Sequence, residues 1–279
     1  MTIARPRTLE EALRVLGQLE ATIVAGGTDV MVEANQGRRA LGDVVAVRRV
    51  DELRRISADS REIRVGAAVP YSQLTGSAGL SRLAAPVLYT AARFMGSTQI
   101  RSAGTLGGNI GTASPVGDAL CALMALDARA TLATSDTIRD VPVAKVVSEG
   151  LSAQELLVDV HWPAASGPQQ FLKVCRRGAV SRSVVSVSLV MDDTGAVRLV
   201  LGGCADLPIR LTQAEGLAEQ LARSDGSFSL EAAEAVAVAV SAALDPPSDI
   251  GGSSTYRRHV AGVLVRRALT GRVPDRAAA

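Results

Sequence analysis

The sequence predicts an α+β protein with three parts: a small α/β unit, a larger and mainly antiparallel sheet with helices, and a C-terminal domain of sheet and helices. Three observations predict this class. Residues 1–54 alternate a helix with short buried strands, and residues 129–143 have the pattern of a β-hairpin. After residue 167, apolar strand-like runs give way to helical patterns.

The first part, residues 1–54, has the pattern of a small parallel α/β unit. Residues 8–19 predict a helix, because Thr8 can cap it, Glu11 completes a capping box and leucines recur on one face. Short apolar runs at residues 21–25 and 43–47 predict buried strands, with a short helix starting after Asp29. Strands separated by a helix are expected to pair in parallel.

The middle part, residues 55–166, mixes helices with strands that favour antiparallel pairing. The segment 118–128 is apolar throughout and fits either a helix or a buried turn. The runs at 129–134 and 138–143 flank Ser135 and Asp136, which predicts a hairpin. The other predicted elements are strands at 62–69 and 155–163 and helices at 71–77 and 80–97.

The C-terminal part, residues 167–279, begins with three strands and ends with helices. Strands are predicted at 171–177, 184–193 and 196–205, the last two joined as a hairpin. Helices are predicted at 212–222, capped by Thr212, at 229–244, capped by Ser229, and at 256–269.

Composition excludes several classes of function. The 279 residues carry a net charge of +2 without a basic stripe, which disfavours a nucleic-acid partner. The longest run of small apolar residues, 235–244, is about half the roughly 20 residues of a membrane span and predicts a buried amphipathic helix. The start has no apolar signal region, so a cytoplasmic location is expected. The 3 cysteines form no C-x-x-C pair, so no metal site is expected in this chain.

Two glycine-rich loops are the candidate ligand-binding segments of the sequence. The first follows a predicted strand as Gly26-Gly27-Thr28-Asp29, and the second spans residues 104–112. Glycine permits close approach and positive φ, so such loops can direct backbone N–H groups at a diphosphate. Neither loop matches the Rossmann or P-loop fingerprint, and from spacing alone both also fit simple tight turns.

Two segments together resemble a known family. "VAGGTDVM" followed by "GSTQIRSAGTLGGNIGTASPVGD" is similar to the paired FAD-binding segments of the flavoprotein subunit of molybdenum hydroxylases. This is the xanthine dehydrogenase and aerobic carbon monoxide dehydrogenase family. The resemblance extends over most of the chain, including "VDELRRI", "IRVGAAVPYSQL", "FLKVCRR" and "YRRHVAGVLVRRAL". It implies a vanillyl-oxidase-like domain in which FAD lies between two N-terminal subdomains.

The resemblance also implies roles for individual residues. Asp118 would bind a ribose or ribityl hydroxyl, and Lys173 would approach the flavin edge, where a cation stabilises the anionic reduced flavin. Leu106 and Ile110 would pack on the ring system. The two loops would enclose the diphosphate, the first with Ala25, Gly26, Gly27, Thr28 and Asp29, and the second with Thr105, Gly107, Gly108, Asn109 and Thr112. Arg101 completes the expected cofactor-binding set.

Several of these residues have simpler interpretations. Asp118 also fits a helix N-cap, and Lys173 a surface lysine on an edge strand. Arg101 fits a contact with a loop carbonyl or a phosphate better than a chemical role. His161 is expected to be structural, His259 to lie on a solvated helix face, and Cys121 and Cys204 to be core thiols.

The resulting hypothesis is an electron-transfer subunit with no catalytic residue of its own. FAD would bind here, molybdopterin and two [2Fe–2S] clusters would lie on a large and a small partner, and the assembly would be a dimer of heterotrimers. Electrons would leave to NAD⁺, a quinone or O₂. Two departures bear on the flavin: Ser102 stands where asparagine is commoner, and the stretch at 145–155 lacks a segment of many relatives. The alternatives are a self-contained FAD oxidoreductase of the same fold acting on a small substrate, and a degenerate scaffold without flavin.

Overall fold

The computed structural model describes residues 1–76, 85–164, 167–176 and 182–271. The chain divides into two compact units. The first unit comprises residues 1–84, 95–113 and 127–164, and the second comprises residues 85–94, 114–126 and 165–279. Two short segments of the middle part thus pack with the C-terminal part. The division into domains at 1–54, 55–166 and 167–279 remains a prediction.

The first unit contains a small parallel sheet, as predicted. Its strands are β1 (Ile3–Ala4), β2 (Ala21–Val24) and β3 (Asp43–Ala46), in the order β1-β3-β2. Helix α1 (Leu9–Gln18) begins at Thr8, whose side chain accepts a hydrogen bond from the Glu11 N–H, and α2 (Val30–Asn35) follows β2. Ala12 and Leu16 of α1 pack into one core with Val45. The two-residue strand β1 is too short for a sequence pattern to predict.

A five-stranded antiparallel sheet completes the strands of the first unit. The strands are β4 (Ile56–Ala58), β5 (Glu62–Gly66), β6 (Arg129–Ala133), β7 (Ile138–Pro142) and β8 (Leu156–Pro163), in the order β4-β5-β8-β6-β7. The predicted hairpin is β6–β7. The helices are α3 (Tyr71–Gly76), α5 (Thr98–Ala103), α6 (Leu106–Thr112) and α8 (Val143–Glu149). Alternate residues such as Ile63, Val65, Val160 and Trp162 are buried, because successive side chains of a strand point to opposite faces.

The second unit is a four-stranded antiparallel sheet with helices. Strands β9 (Gln169–Cys175), β10 (Ser183–Met191), β11 (Val197–Gly202) and β12 (Ile209–Arg210) follow the order β12-β11-β10-β9. The helices are α4 (Pro86–Arg93), α7 (Asp118–Ala125), α9 (Thr212–Leu221), α10 (Leu230–Ala243) and α11 (Ser254–Leu269). Every residue of β10 is buried, since α7 and α11 both pack against it.

Some predicted helices differ from the observed ones in their boundaries or caps. Of the helix predicted at 80–97, the structure shows α4 from Pro86, and residues 80–84 lie outside the described residues, as does Arg177 of the predicted strand 171–177. Thr212 is not a cap, because α9 has Leu211 at its N-cap position. Ser229 caps α10 as predicted, whereas α11 begins two residues early behind the cap of Ser253. No helix within the described ranges is long and apolar enough to span a membrane.

Candidate functional site

The first glycine loop joins β2 to α2 and offers a group of backbone donors. Within the described residues, the N–H groups of Gly26, Gly27, Thr28 and Asp29 have no hydrogen-bond acceptor in the protein. Gly27 has a φ of 70°, in the left-handed region that glycine adopts without strain. Consecutive N–H groups around a left-handed residue form a concave anion-binding arrangement. This geometry suits a negatively charged group, and the binding role of the loop remains a prediction.

The two glycine loops lie against each other within the first unit. A Cβ placed on Gly26 would lie 2.2 Å from the carbonyl oxygen of Ala103 and 2.9 Å from the Cα of Gly104. The Thr112 hydroxyl donates to Asp29 Oδ2 over 3.4 Å. Glycine at position 26 thus allows the first loop to contact the backbone that enters the second. The structure brings together the two segments that the sequence singled out.

The second loop uses its backbone donors internally. The Thr105 side chain caps α6 and accepts from the Gly108 N–H over 3.1 Å. The Gly107 N–H donates to the Ala67 carbonyl over 2.9 Å, and the Leu106 N–H donates to the Val69 carbonyl over 3.3 Å. These hydrogen bonds hold α6 in place, and contact of the second loop with the diphosphate remains a prediction.

Helix α6 carries two buried apolar side chains and one unpaired polar atom. Leu106 and Ile110 are 0% and 1% exposed, so they pack against protein in this structure, and their contact with the flavin ring remains a prediction. The Oδ1 atom of Asn109 is buried and has no hydrogen-bond partner among the residues that the structure describes. A buried acceptor without a partner is costly, and a ligand hydroxyl or N–H is a donor that would satisfy this oxygen.

Two arginines hold the entrance to the second loop. Arg101 donates to the carbonyl oxygens of Met95 and Gly96 over 3.1 and 3.0 Å, which agrees with its expected role as a loop-carbonyl contact. Arg48 donates to the Ser102 carbonyl over 3.0 Å. The sequence did not predict the Arg48 contact, because the two residues are 54 positions apart and no motif links them.

In the second unit, Asp118 and Lys173 form a buried ion pair. Lys173 Nζ lies 2.6 Å from Asp118 Oδ2, and their side chains are 7% and 4% exposed. Burial raises the pKa of Asp118, and the nearby Lys173 and Ser183 lower it. Asp118 is not an N-cap, since Gly117 holds that position and Asp118 is the first residue of α7. Lys173 is not a surface lysine.

The remaining titratable candidates are structural. Burial raises the pKa of Cys121 to about 12 and of Cys204 to about 11, so both stay protonated at neutral pH as core thiols. His161 is 6% exposed, with Nδ1 3.4 Å from Asp159 Oδ1, and His259 is exposed. Across the described residues, no group of histidine, cysteine and carboxylate side chains is arranged to hold a metal ion.

The donor set fits FAD. The diphosphate of FAD accepts hydrogen bonds and carries negative charge, which matches the unpaired N–H groups of the first loop. The sugar and ribityl hydroxyls and the flavin N3–H are donors, which matches the unpaired oxygen of Asn109. A side chain at Gly26 would fill the space between the loops.

Two family models match the chain. Residues 1–165 match the FAD binding domain in molybdopterin dehydrogenase. Residues 172–271 match the CO dehydrogenase flavoprotein C-terminal domain. Together they cover nearly the whole chain and leave residues 166–171 between them.

Named relatives share this description. The nicotinate dehydrogenase FAD-subunit of Eubacterium barkeri is 32% identical over 227 residues, covering 75% of this chain and 76% of the relative. The carbon monoxide dehydrogenase medium chain of Hydrogenophaga pseudoflava is 27% identical, over an alignment that covers 95% of this chain and 94% of the relative.

Solved structures agree in fold. The carbon monoxide dehydrogenase of Hydrogenophaga pseudoflava, a form that lacks the Mo-pyranopterin moiety of the molybdenum cofactor, aligns with a TM-score of 0.86 at 27% identity over 96% of each chain. Quinoline 2-oxidoreductase from Pseudomonas putida 86, at 24% identity and a TM-score of 0.87, shows the same fold over 96% of this chain and 95% of that chain. The chain therefore belongs to the family of FAD-binding flavoprotein subunits of molybdenum-dependent dehydrogenases.

Proposed function

We propose that the first glycine loop binds the diphosphate of FAD and that the chain transfers electrons within a three-component molybdenum hydroxylase. The observation that carries the proposal is the set of consecutive unpaired N–H groups from Gly26 to Asp29. Gly26, Gly27 and Thr28 are half-buried and Asp29 is exposed, so a ligand can reach these donors, and successive backbone N–H groups form an anion-binding concavity. The diphosphate is the part of FAD whose charge and acceptors match it.

The second loop supports this site from the side. Thr105 and Gly107 fix α6 through internal hydrogen bonds, and α6 carries Asn109 and Thr112. The unpaired oxygen of Asn109 would accept a hydrogen bond from a hydroxyl or N–H of FAD, and the Thr112 hydroxyl holds the Asp29 carboxylate towards α6.

Asp118 and Lys173 are further proposed contacts, on the ground of the family resemblance. A charged lysine beside the flavin favours its anionic reduced form. The Asp118 carboxylate, through its 2.6 Å contact, keeps Lys173 in place. Arg101 acts on the site only through the loop carbonyls that it holds.

The proposed setting is a complex with a large and a small subunit. Relatives are named as a FAD-subunit, a medium chain and a subunit of a dehydrogenase complex. Bound FAD would accept one or two electrons and pass them on. We propose that molybdopterin and [2Fe–2S] clusters lie on the partners, that the complex is a cytoplasmic dimer of heterotrimers, and that NAD⁺, a quinone or O₂ is the final acceptor.

Purification of the chain with the proteins that accompany it in its native cell tests this proposal. The expected result is one FAD per copy of this chain, with iron–sulfur absorbance that belongs to the co-purifying subunits. A yellow protein that purifies alone and reduces its flavin with a small substrate would instead identify a self-contained oxidoreductase. Correctly folded protein that takes up no FAD would contradict the proposal.

A further inference from the structure

Three buried side chains of the second unit form one hydrogen-bonded chain. Lys173 Nζ donates to Asp118 Oδ2 over 2.6 Å, and the Ser183 hydroxyl donates to Asp118 Oδ1 over 2.6 Å. Lys173 also donates to the Phe94 carbonyl over 2.9 Å. Ser183 is 6% exposed, so this contact is shielded from water. Each carboxylate oxygen therefore has its own donor.

Ser183 reaches this position because of an irregularity in β10. Ser186 lies on the face of β10 that meets α7, since its hydroxyl lies 3.6 Å from the Cys121 sulfur. Regular alternation would place Ser183 on the opposite face, an odd number of positions away. The pairing register with β9 shifts between Ser183 and Val185, and such a bulge redirects a side chain. The shift turns Ser183 towards Asp118.

The second donor matters because the ion pair is buried. A buried carboxylate loses its hydration, and attraction to one cation offsets this only if the remaining lone pairs are also satisfied. The groups described around Asp118 are Lys173 from β9, Ser183 from β10, Cys121 on α7 itself and the Phe94 carbonyl at the end of α4. Lys173 is the cation among them.

We propose that Ser183 is a positioning residue of this flavoprotein subunit, whose hydroxyl keeps the Asp118 carboxylate charged and turned towards Lys173. The consequence for the cofactor rests on the proposed function, in which Lys173 contacts FAD. When Asp118 is ionised, its charge and that of the Lys173 ammonium cancel. Without the Ser183 hydroxyl, Asp118 takes up a proton more readily, the pair becomes positive, and the reduced flavin is favoured.

The sign of the pH effect follows from the raised pKa of Asp118. A carboxyl group whose pKa is higher in the folded state contributes stability at low pH and loses it as the pH rises through that pKa. Removal of the Ser183 hydroxyl raises this pKa further, since a donor to the charged form is lost. The variant is therefore expected to be less stable than the wild type at high pH, with a deficit that shrinks on acidification.

The test compares Ser183→Ala, Ser183→Thr and Ser186→Ala in the full chain. Ser186 is the matched control, because it is buried on the same strand and its hydroxyl contacts Cys121 and not Asp118. For Ser183→Ala, the unfolding equilibrium constant from urea titrations is expected to rise about tenfold at pH 8 and clearly less at pH 5. Ser183→Thr, which keeps a hydroxyl, is expected to restore stability and Ser186→Ala to show no pH dependence.

A second measurement joins the effect to the flavin. Spectroelectrochemical titration is expected to give a more positive midpoint potential for Ser183→Ala and an unchanged one for Ser186→Ala. In an Asp118→Asn background, Ser183→Ala is expected to add no pH-dependent effect.

A stability deficit of Ser183→Ala that is independent of pH would overturn the inference. An unchanged potential with an intact pH effect would overturn its link to FAD, whereas failure of wild-type protein to bind FAD would overturn the proposed function alone.

Discussion

The two glycine loops have similar compositions but use their backbone N–H groups in opposite ways. In the first loop, the N–H groups of Gly26 to Asp29 have no acceptor among the described residues. In the second, the N–H groups of Leu106, Gly107 and Gly108 all donate within the protein. Glycine in the first loop allows close approach to the backbone of the second loop, and glycine in the second loop allows α6 to pack against the Ala67 backbone. Similar sequences thus leave N–H groups available in one loop and use them within the protein in the other.

Gly26→Ala should have the largest effect on the cofactor. Its Cβ would lie 2.2 Å from the Ala103 carbonyl oxygen, so the first loop must move away from the second. The dissociation constant of FAD is expected to rise by more than about tenfold, equivalent to roughly 1.4 kcal/mol, as measured by flavin fluorescence. Gly111→Ala is the control, because its Cβ would have no neighbour within 4 Å. Equal losses in both variants would contradict the distinction between the loops.

Gly107→Ala should lower stability more than it lowers FAD affinity per folded molecule. The added Cβ would lie 2.6 Å from the Ala67 Cβ, in a contact that seats α6. The free energy of unfolding is expected to fall by about 1–3 kcal/mol, measured by urea titration without FAD. Loss of FAD binding with unchanged stability would instead show that the second loop binds the cofactor directly.

Thr105→Ala should cost about 1 kcal/mol of stability through loss of the helix cap. The Thr105 hydroxyl is the acceptor for the Gly108 N–H at the start of α6. Thr105→Ser, which keeps this oxygen, is the matched control and is expected to unfold at nearly the wild-type urea concentration. A loss in both variants would assign the effect to the methyl group and to packing.

Asn109→Ala should separate binding from stability. The Asn109 Oδ1 atom has no partner in the described part of the chain, so its removal is expected to leave the cofactor-free protein about as stable as before. FAD affinity is expected to fall several-fold, since a hydrogen bond to the ligand contributes about 0.5–1.5 kcal/mol. Calorimetric titration with FAD and thermal unfolding without it give the two values, and a large loss of unliganded stability would contradict this assignment.

Thr112→Val should have the smallest effect. It removes a 3.4 Å hydrogen bond to Asp29 at the exposed junction of the loops. Stability is expected to change by no more than about 0.5 kcal/mol, and FAD affinity by less than about twofold, by the same titrations. A tenfold loss of affinity would show that the Thr112 hydroxyl contacts FAD directly.

Patterns confined to neighbouring residues predicted much of the fold. The Thr8 and Ser229 caps, the β6–β7 hairpin and the parallel pairing of β2 and β3 were all read correctly. Errors arose where a local pattern had more than one outcome. A helix cap was one interpretation of Asp118, but Asp118 is the first residue of α7 and pairs with a lysine 55 positions away.

The sequence alone determined the identity of the two loops and the expectation that they meet. Glycine gives the backbone conformational freedom, and threonine or aspartate after it can cap a helix. Both effects act over a few residues, so the sequence shows them directly. Tertiary structure alone decided which loop keeps its N–H groups unpaired, since the acceptors at Ala67 and Val69 come from a distant segment. Tertiary structure also decided that Ser183 contacts Asp118. The irregularity in β10 sets the direction of the Ser183 side chain, and no pattern in a single sequence predicts that irregularity.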